Sequence, residues 1–169
     1  SEMCIRDSKI AVSDDKLLPF ELRRVLDVEA AGIPLVDLRD AARRLSDHYR
    51  QASVAAADNI LAFDDLTALA YAATRMPATL AAARVVFHEL TVRSGELNVE
   101  TLLDLGSGPA PTLWAEDPEF SNLEHVCFVE RDAAMRKLGK RLAKSSPLDG
   151  RVKMTWSSQI TDLSSTTPV

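Results

Sequence analysis

The chain has 169 residues, a formal net charge of −5, and apolar and charged shares of 46% and 27%. That length suits one domain, or one small domain with part of another, and the composition is that of an ordinary globular protein. The acidic balance removes any global electrostatic drive toward nucleic acid but allows a local basic patch.

Residues 1–8, SEMCIRDS, lack a signal-peptide core and do not run into the pattern behind them. They are read as a non-native segment and left out of the fold. Residues 9–95 read as a helical region. Leu18-Pro19-Phe20 opens a first helix, with Pro19 suited to a first turn. Leu22, Val25, Leu26 and Glu29/Ala30 follow at helical spacing, and Gly32 stops it. Pro34 restarts a helix whose apolar side is Leu35, Leu38, Ala41/Ala42, Leu45 and Tyr49. Residues 51–60 have no clear period and read as a connection. A third helix spans Asp64 to Thr74, with Leu66, Leu69, Ala70 and Ala73 inward. A break is expected after Met76, because the residue before Pro77 is pushed away from helical geometry. A fourth helix runs from Ala78 to Arg93 with Leu80, Ala83, Val86/Phe87 and Leu90 on one side, and Ser94-Gly95 ends it.

The period changes after Gly95. Over 96–169 the order is a strand at Thr101–Leu105, a helix beginning at Thr112–Ala115 and cut short by Pro118, and a strand at His125–Val129. A helix at Asp132–Lys144, with Met135, Leu138 and Leu142 inward, and a strand at Val152–Trp156 complete it. This β-α-β-α-β order is half of a doubly wound α/β sheet. Such sheets need cover on both faces and more strands, so the chain is expected to stop inside a domain. No apolar run reaches the roughly 18 residues of a membrane span. The two cysteines, Cys4 and Cys127, form neither a disulfide framework nor a CxxC pair, and a reducing, cytoplasmic setting is expected.

The chemistry gathers in LLDLGSGPAPTLW (102–114) and HVCFVE (125–130). The first strand ends near an acid, Asp104, and a Gly-x-Gly turn follows at Gly106 and Gly108. A glycine at 106 permits the turn, and one at 108 permits close approach of a ligand to the main chain. The helix expected next would offer free N–H groups. Glu130, 24 positions beyond Gly106 at the tip of the second strand, is placed to accept hydrogen bonds from a ribose diol. A dinucleotide fingerprint needs glycine at 111, where Pro111 stands, and Asp104 would repel a pyrophosphate. A ligand with an amine and a sulfonium, S-adenosylmethionine, suits that carboxylate better than NAD. The bland reading of a lone Gly-x-Gly is a tight turn and nothing more.

The D-x-G-x-G pattern resembles motif I of the class I methyltransferases, with Glu130 as their strand-2 acid and Ala110 in place of a third glycine. LTALAYAATRMPATLAAARVVFHEL (66–90), LLDLGSGPAPTLWA and FVERDAAMRKLGKRLA (128–143) together resemble the ribosomal small-subunit Rsm22-type family. LPFELRRVLD and IPLVDLRDAARRLSDHYR fit that family's helical N-terminal region, so the likeness covers about residues 17–156. It implies a helical region followed by an incomplete Rossmann-like class I methyltransferase domain of about three parallel strands. It also implies a putative S-adenosylmethionine-dependent rRNA methyltransferase of the small ribosomal subunit, partnered by its rRNA and proteins. The alternative is a non-catalytic assembly factor on the same fold. By resemblance Asp104, Gly106, Gly108 and Glu130 are cofactor residues, with Ser107, Ala110 and Arg131 beside them. The family's iron–sulfur cysteines lie downstream of this sequence, and Cys127 cannot replace four ligands, so no metal is assigned. No catalytic residue is named.

Several residues carry two readings. Asp132 is either the cap of the following helix or an adenosine contact. Tyr71 and Met76 read as core and Arg75 as a surface or ion-paired group, with a site role as the other possibility. Arg23, Arg24, Arg39, Arg43, Arg44 and Arg50 read as a solvated helix face before an RNA surface. Lys137, Lys140, Arg141 and Lys144 form a cleaner basic cluster. His48, His88 and His125 are scattered and suggest neither a metal nor a triad.

Overall fold

The computed structural model describes residues 18–52, 63–94, 98–115 and 120–161. The connection expected over 51–60 lies outside them from residue 53 onward. So do Gly95, Pro118, the first eight residues and the polar tail after 161. Five helices and three strands follow in the order α1 (Phe20–Glu29), α2 (Leu35–Ala52), α3 (Asp65–Thr74), α4 (Met76–Ser94), β1 (Thr101–Leu105), β2 (His125–Val129), α5 (Ala133–Ala143) and β3 (Lys153–Ser157).

The strands form one parallel sheet in the order β1-β2-β3. Register places Leu102, Val126 and Met154 in one row and Asp104, Phe128 and Trp156 in the next. Side chains alternate across a strand, so these rows share a face. On it Val126 and Phe128 are completely buried, and Trp156 stacks on Phe128 with ring centroids 4.4 Å apart. The other face carries Leu103 and Leu105, which stay exposed. The mixed α/β class and the partial Rossmann-like order expected from the sequence are both present.

α5 lies against the buried face through Met135, Leu138 and Leu142, its expected inner side. Asp132 caps it by accepting from the Met135 N–H at 3.0 Å. Gly139 is there for space: a Cβ would stand 2.5 Å from the Trp156 ring and 3.3 Å from the Pro109 carbonyl carbon. Trp156 therefore packs directly on the backbone of α5, a contact that any larger side chain would displace.

α3 is the hub of the helical region, packing against α1, α2, α4 and α5. Asp64 caps it, accepting from the Thr67 N–H at 2.6 Å. Ala68, Leu69, Ala70 and Ala72 are buried, and these small side chains permit close approach. One hydrophobic core joins Leu22, Leu69 and Met76 of the helices to Val126, Phe128, Leu138 and Leu142 of the sheet layer.

Several local expectations are corrected. α3 and α4 part at Arg75, one residue before Met76, so Pro77 sits in the first turn of α4, where its missing N–H costs nothing. Ala73 is exposed, and Ala72 takes the inward place assigned to it. Leu35, Tyr49, Val86 and Leu90 are also exposed, leaving Ala41 and Leu45 as the buried anchors of α2. β3 begins one residue later than expected, at Lys153. Between the glycine turn and β2 the described residues hold a 3-10 turn at Pro111–Trp114 and no α-helix.

Candidate cofactor site

A cavity of about 400 Å³ opens at the carboxyl ends of β1 and β2, where doubly wound sheets take their ligands. Gly106, Gly108, Glu130, Arg131, Asp132, Ala133 and Met135 line one side, and Tyr49, Phe63 and Tyr71 line the other. The volume falls within the range of small-molecule sites.

The glycine turn is fixed by its own backbone. Gly106 and Gly108 have φ of +69° and +55°, the left-handed region that glycine enters without a Cβ penalty. Ala110 shares that conformation at +60°, an unusual state for a residue with a Cβ. The Val129 carbonyl accepts from the N–H of Gly106 at 2.8 Å and of Ser107 at 3.2 Å. The Gly108 N–H donates to Glu130 Oε2 at 2.8 Å, and that of Ala110 to the Ser107 carbonyl at 2.9 Å. Positions 109 and 111 are prolines without N–H groups. Every backbone N–H from 106 to 111 is thus already used inside the protein. The glycine turn itself therefore keeps no amide free, because Val129, Glu130 and Ser107 take up those of 106, 107, 108 and 110. A pyrophosphate is held by just such donors, so the geometry disfavours a dinucleotide more strongly than Pro111 alone does.

Glu130 is the hinge of the site. Its Oε1 accepts from the Asp132 N–H at 2.7 Å while Oε2 holds Gly108, so one carboxylate ties the glycine turn to the start of α5. A carboxylate has about four acceptor positions, which leaves two for a ligand's hydroxyl groups. The Glu130 N–H is anchored on the Ser157 carbonyl at 3.0 Å, and Arg136 Nη1 donates to the carbonyls of Glu130 and Arg131 at 2.5 and 2.7 Å. Asp104 lies behind the turn and accepts from the Thr112 hydroxyl at 2.6 Å. Burial pushes its carboxyl above the usual range, the Thr112 bond opposes this, and the Glu130 charge adds to the rise.

Of the residues singled out in the sequence, Gly106, Gly108, Glu130 and Arg131 line the cavity. Asp104, Ser107 and Ala110 support the turn from behind, with Ser107 and Ala110 buried. The Ser107 hydroxyl is buried without a hydrogen-bond partner among the described residues. Asp132 does two jobs: it caps α5 through Oδ1 and accepts from the Phe63 N–H through Oδ2 at 3.1 Å.

The aromatic wall is legible in the sequence in part, since a site role is the second reading of Tyr71 while Tyr49 and Phe63 are not singled out for the site. Tyr71, read as core with a site role as the alternative, packs against the core and also stands beside the turn, its ring 3.9 Å from where a Gly108 Cβ would be. Phe63 meets it edge-on with centroids 6.1 Å apart. The Arg75 guanidinium lies 5.1 Å from the centroid of the Tyr49 ring. Burial first, then the proximity of Tyr71 and Glu130, raise the Tyr49 phenol above its ordinary range, and Arg75 opposes them. A compositional signal was present: the chain has two tyrosines, and both line this cavity. Met76, by contrast, is fully buried core, as expected.

The basic clusters are largely internal. Lys137 pairs with Asp65 at 2.5 Å and Arg141 with Glu29 at 2.8 Å, so half of the α5 cluster serves to hold α5 against α3 and α1. Arg24, Arg39, Arg43 and Arg50 pair with Glu21, Asp40 or Asp47 on their own helices, which fits a solvated face. Among the described residues no group of three or more His, Cys, Asp or Glu could hold a metal ion, and no helix is long and apolar enough to cross a membrane.

A parallel sheet with a left-handed glycine turn at its carboxyl edge and an acid at the next strand tip defines a Rossmann-like α/β protein. A sequence profile described as "Mitochondrial small ribosomal subunit Rsm22" matches residues 65–164, more than half of the chain. The chain belongs to the Rsm22 family. It is also 34% identical over 92 residues to a human protein, "Ribosome assembly protein METTL17, mitochondrial". That stretch is 53% of this chain and 20% of the human protein, so the chain matches about a fifth of that relative's length.

Proposed function

We propose that the cavity binds S-adenosylmethionine and that the protein acts as a methyltransferase on rRNA of the small ribosomal subunit. The supporting observation is the combination of spent turn amides with a carboxylate-bearing, aromatic-walled cavity at the strand tips. Its glycine turn offers no free amide to a phosphate, and the cavity offers Glu130 to a ribose and an open approach in front of Gly106, where an added Cβ would meet nothing within 4 Å. When bound, this cofactor supplies a methyl group activated by a sulfonium. The protein's share is to fix orientation: Glu130 takes the ribose hydroxyls, the glycine turn bounds the ligand's near side, and Tyr71 and Phe63 close the far side against water. Asp104 acts by holding Thr112 and the turn. No described residue is assigned to the chemical step.

The name of the human relative, a ribosome assembly protein, favours a second reading, an assembly factor that docks on small-subunit rRNA and proteins without methyl transfer. In either case Lys140 and Lys144 are the α5 cations offered to phosphate. A cytoplasmic site of action, from the isolated thiols, belongs to the same proposal, and fractionation with organelle markers tests it against a mitochondrial one.

The experiment is incubation of the folded protein with small ribosomal subunits and methyl-labelled cofactor. Label in rRNA supports the enzyme. Subunit binding and cofactor binding without label support the assembly factor, and absence of cofactor binding rejects the cavity assignment in both.

A further inference from the structure

The cavity's helical wall is more specialised than closure requires. Aromatic residues make up only 5% of the chain, yet Tyr49, Phe63 and Tyr71 converge on this one cavity. They face Glu130 and Asp132, with Arg131 the one basic group in the lining. Aromatic faces carry negative quadrupole potential and attract cations within about 6 Å of the ring centroid. The wall already does so once, since Arg75 lies 5.1 Å from the Tyr49 centroid. Tyr71 stands closest to the turn, with its edge against Gly108 and Phe63 edge-on behind it.

We infer, building on the S-adenosylmethionine reading above, that Tyr71 and Phe63 form a cation-selective wall that distinguishes the charged sulfonium from the neutral thioether left after methyl transfer. Two features converge on this. The turn supplies no free amide to neutralise an anion, and the lining pairs aromatic rings with the carboxylates of Glu130 and Asp132, with Arg131 beside them and Arg75 engaged on the Tyr49 ring. Such a surface favours a positive centre and loses that preference when the charge goes. The functional consequence is release: the demethylated product is held less tightly than the methyl donor.

The test compares S-adenosylmethionine with S-adenosylhomocysteine by calorimetry on the whole chain. The two share adenosine and the amino-acid tail and differ in the methyl group on sulfur and the positive charge that comes with it. The wild type is expected to prefer the sulfonium compound by roughly three- to thirtyfold, the span of a single cation–π contact. Tyr71→Leu should bring the ratio toward one, mainly by weakening the charged ligand, and Tyr71→Phe should preserve it. Phe63→Leu should shrink the ratio partway, and thermal melts confirm that each variant is folded. If Tyr71→Leu does not fold, the wild-type ratio and Phe63→Leu decide. Equal affinities in the wild type, or a ratio untouched by the leucine changes, overturn the aromatic selection and leave the cofactor assignment standing. No binding of either compound overturns the cofactor assignment itself.

Discussion

The two walls of the cavity are held in place by different physics. The strand-and-turn wall is backbone architecture: left-handed glycines, amides donating to the Val129 carbonyl, and Glu130 clasping two N–H groups. The helical wall is made of side chains, with Tyr49 brought in by α2, Tyr71 by α3 and Phe63 by the segment that leads into α3. A change in the first should disturb shape and binding together. A change in the second should alter binding with a smaller effect on stability, because the tyrosines lie at the rim of the core and Leu69, Ala72 and Met76 hold α3 from below.

The largest expected effect comes from breaking the clasp. Glu130→Ala leaves the Gly108 and Asp132 N–H groups without their acceptor. At about 1–3 kcal/mol for each donor so stranded, with part offset by water at this half-open site, a loss of about 3 kcal/mol in urea unfolding is expected. S-adenosylmethionine binding should vanish with it. If stability is unchanged, the clasp does not organise the turn.

Gly139→Ala tests what lies beneath the same wall. Its Cβ would collide with a tryptophan ring held in a stack, so overpacking should cost about 2 kcal/mol. Trp156 fluorescence should shift as the ring is displaced. Gly106→Ala separates shape from binding. A left-handed alanine costs about 1 kcal/mol, while its Cβ projects into open space where the ligand approaches. Cofactor affinity should therefore fall by more than stability does, as measured by calorimetry beside a thermal melt.

The smallest effect depends on pH. Burial raises the Asp104 carboxyl, so folding favours its protonated form. Its contribution to stability is fully present below the unfolded value, about 3.8, and is lost as pH rises through the higher folded value. Asp104→Asn should therefore stabilise the protein modestly at neutral pH, with the gain fading toward pH 3.5. The melting temperature of both proteins across that range checks the sign, and a variant less stable at pH 7 would show that the Thr112 bond outweighs burial.

The contrast between the walls also explains what could be read in the sequence. β1 and β2 follow from short apolar runs bounded by turn residues, and α5 from Asp132, its apolar spacing and its basic end. The turn was legible because conformation itself demands glycine at 106 and 108. An α-helix does not follow it directly, since the turn is locked to the Val129 carbonyl and Pro109, Ala110 and Pro111 lead into a 3-10 turn. Tyr49, Phe63 and Tyr71 reach the cavity through the packing of α2 on α3 and of α3 on α5, and through the Phe63 N–H bond to Asp132, long-range facts that helical spacing cannot carry. Spacing likewise gave α4 an inward Val86 and Leu90 that the fold leaves exposed, because nothing in a local period says how far a helix is covered. Lys137 and Arg141 looked like a ligand surface for the same reason: their acidic partners, Asp65 and Glu29, are 72 and 112 positions away.

The most direct measurement is equilibrium binding of S-adenosylmethionine and NAD to the same folded sample. With the turn amides spent and carboxylates lining the cavity, S-adenosylmethionine should bind at one site per chain, lost in Glu130→Ala, and NAD should not compete. NAD binding as tightly as S-adenosylmethionine, or no binding of S-adenosylmethionine at all, would contradict a cavity built for a cationic nucleoside.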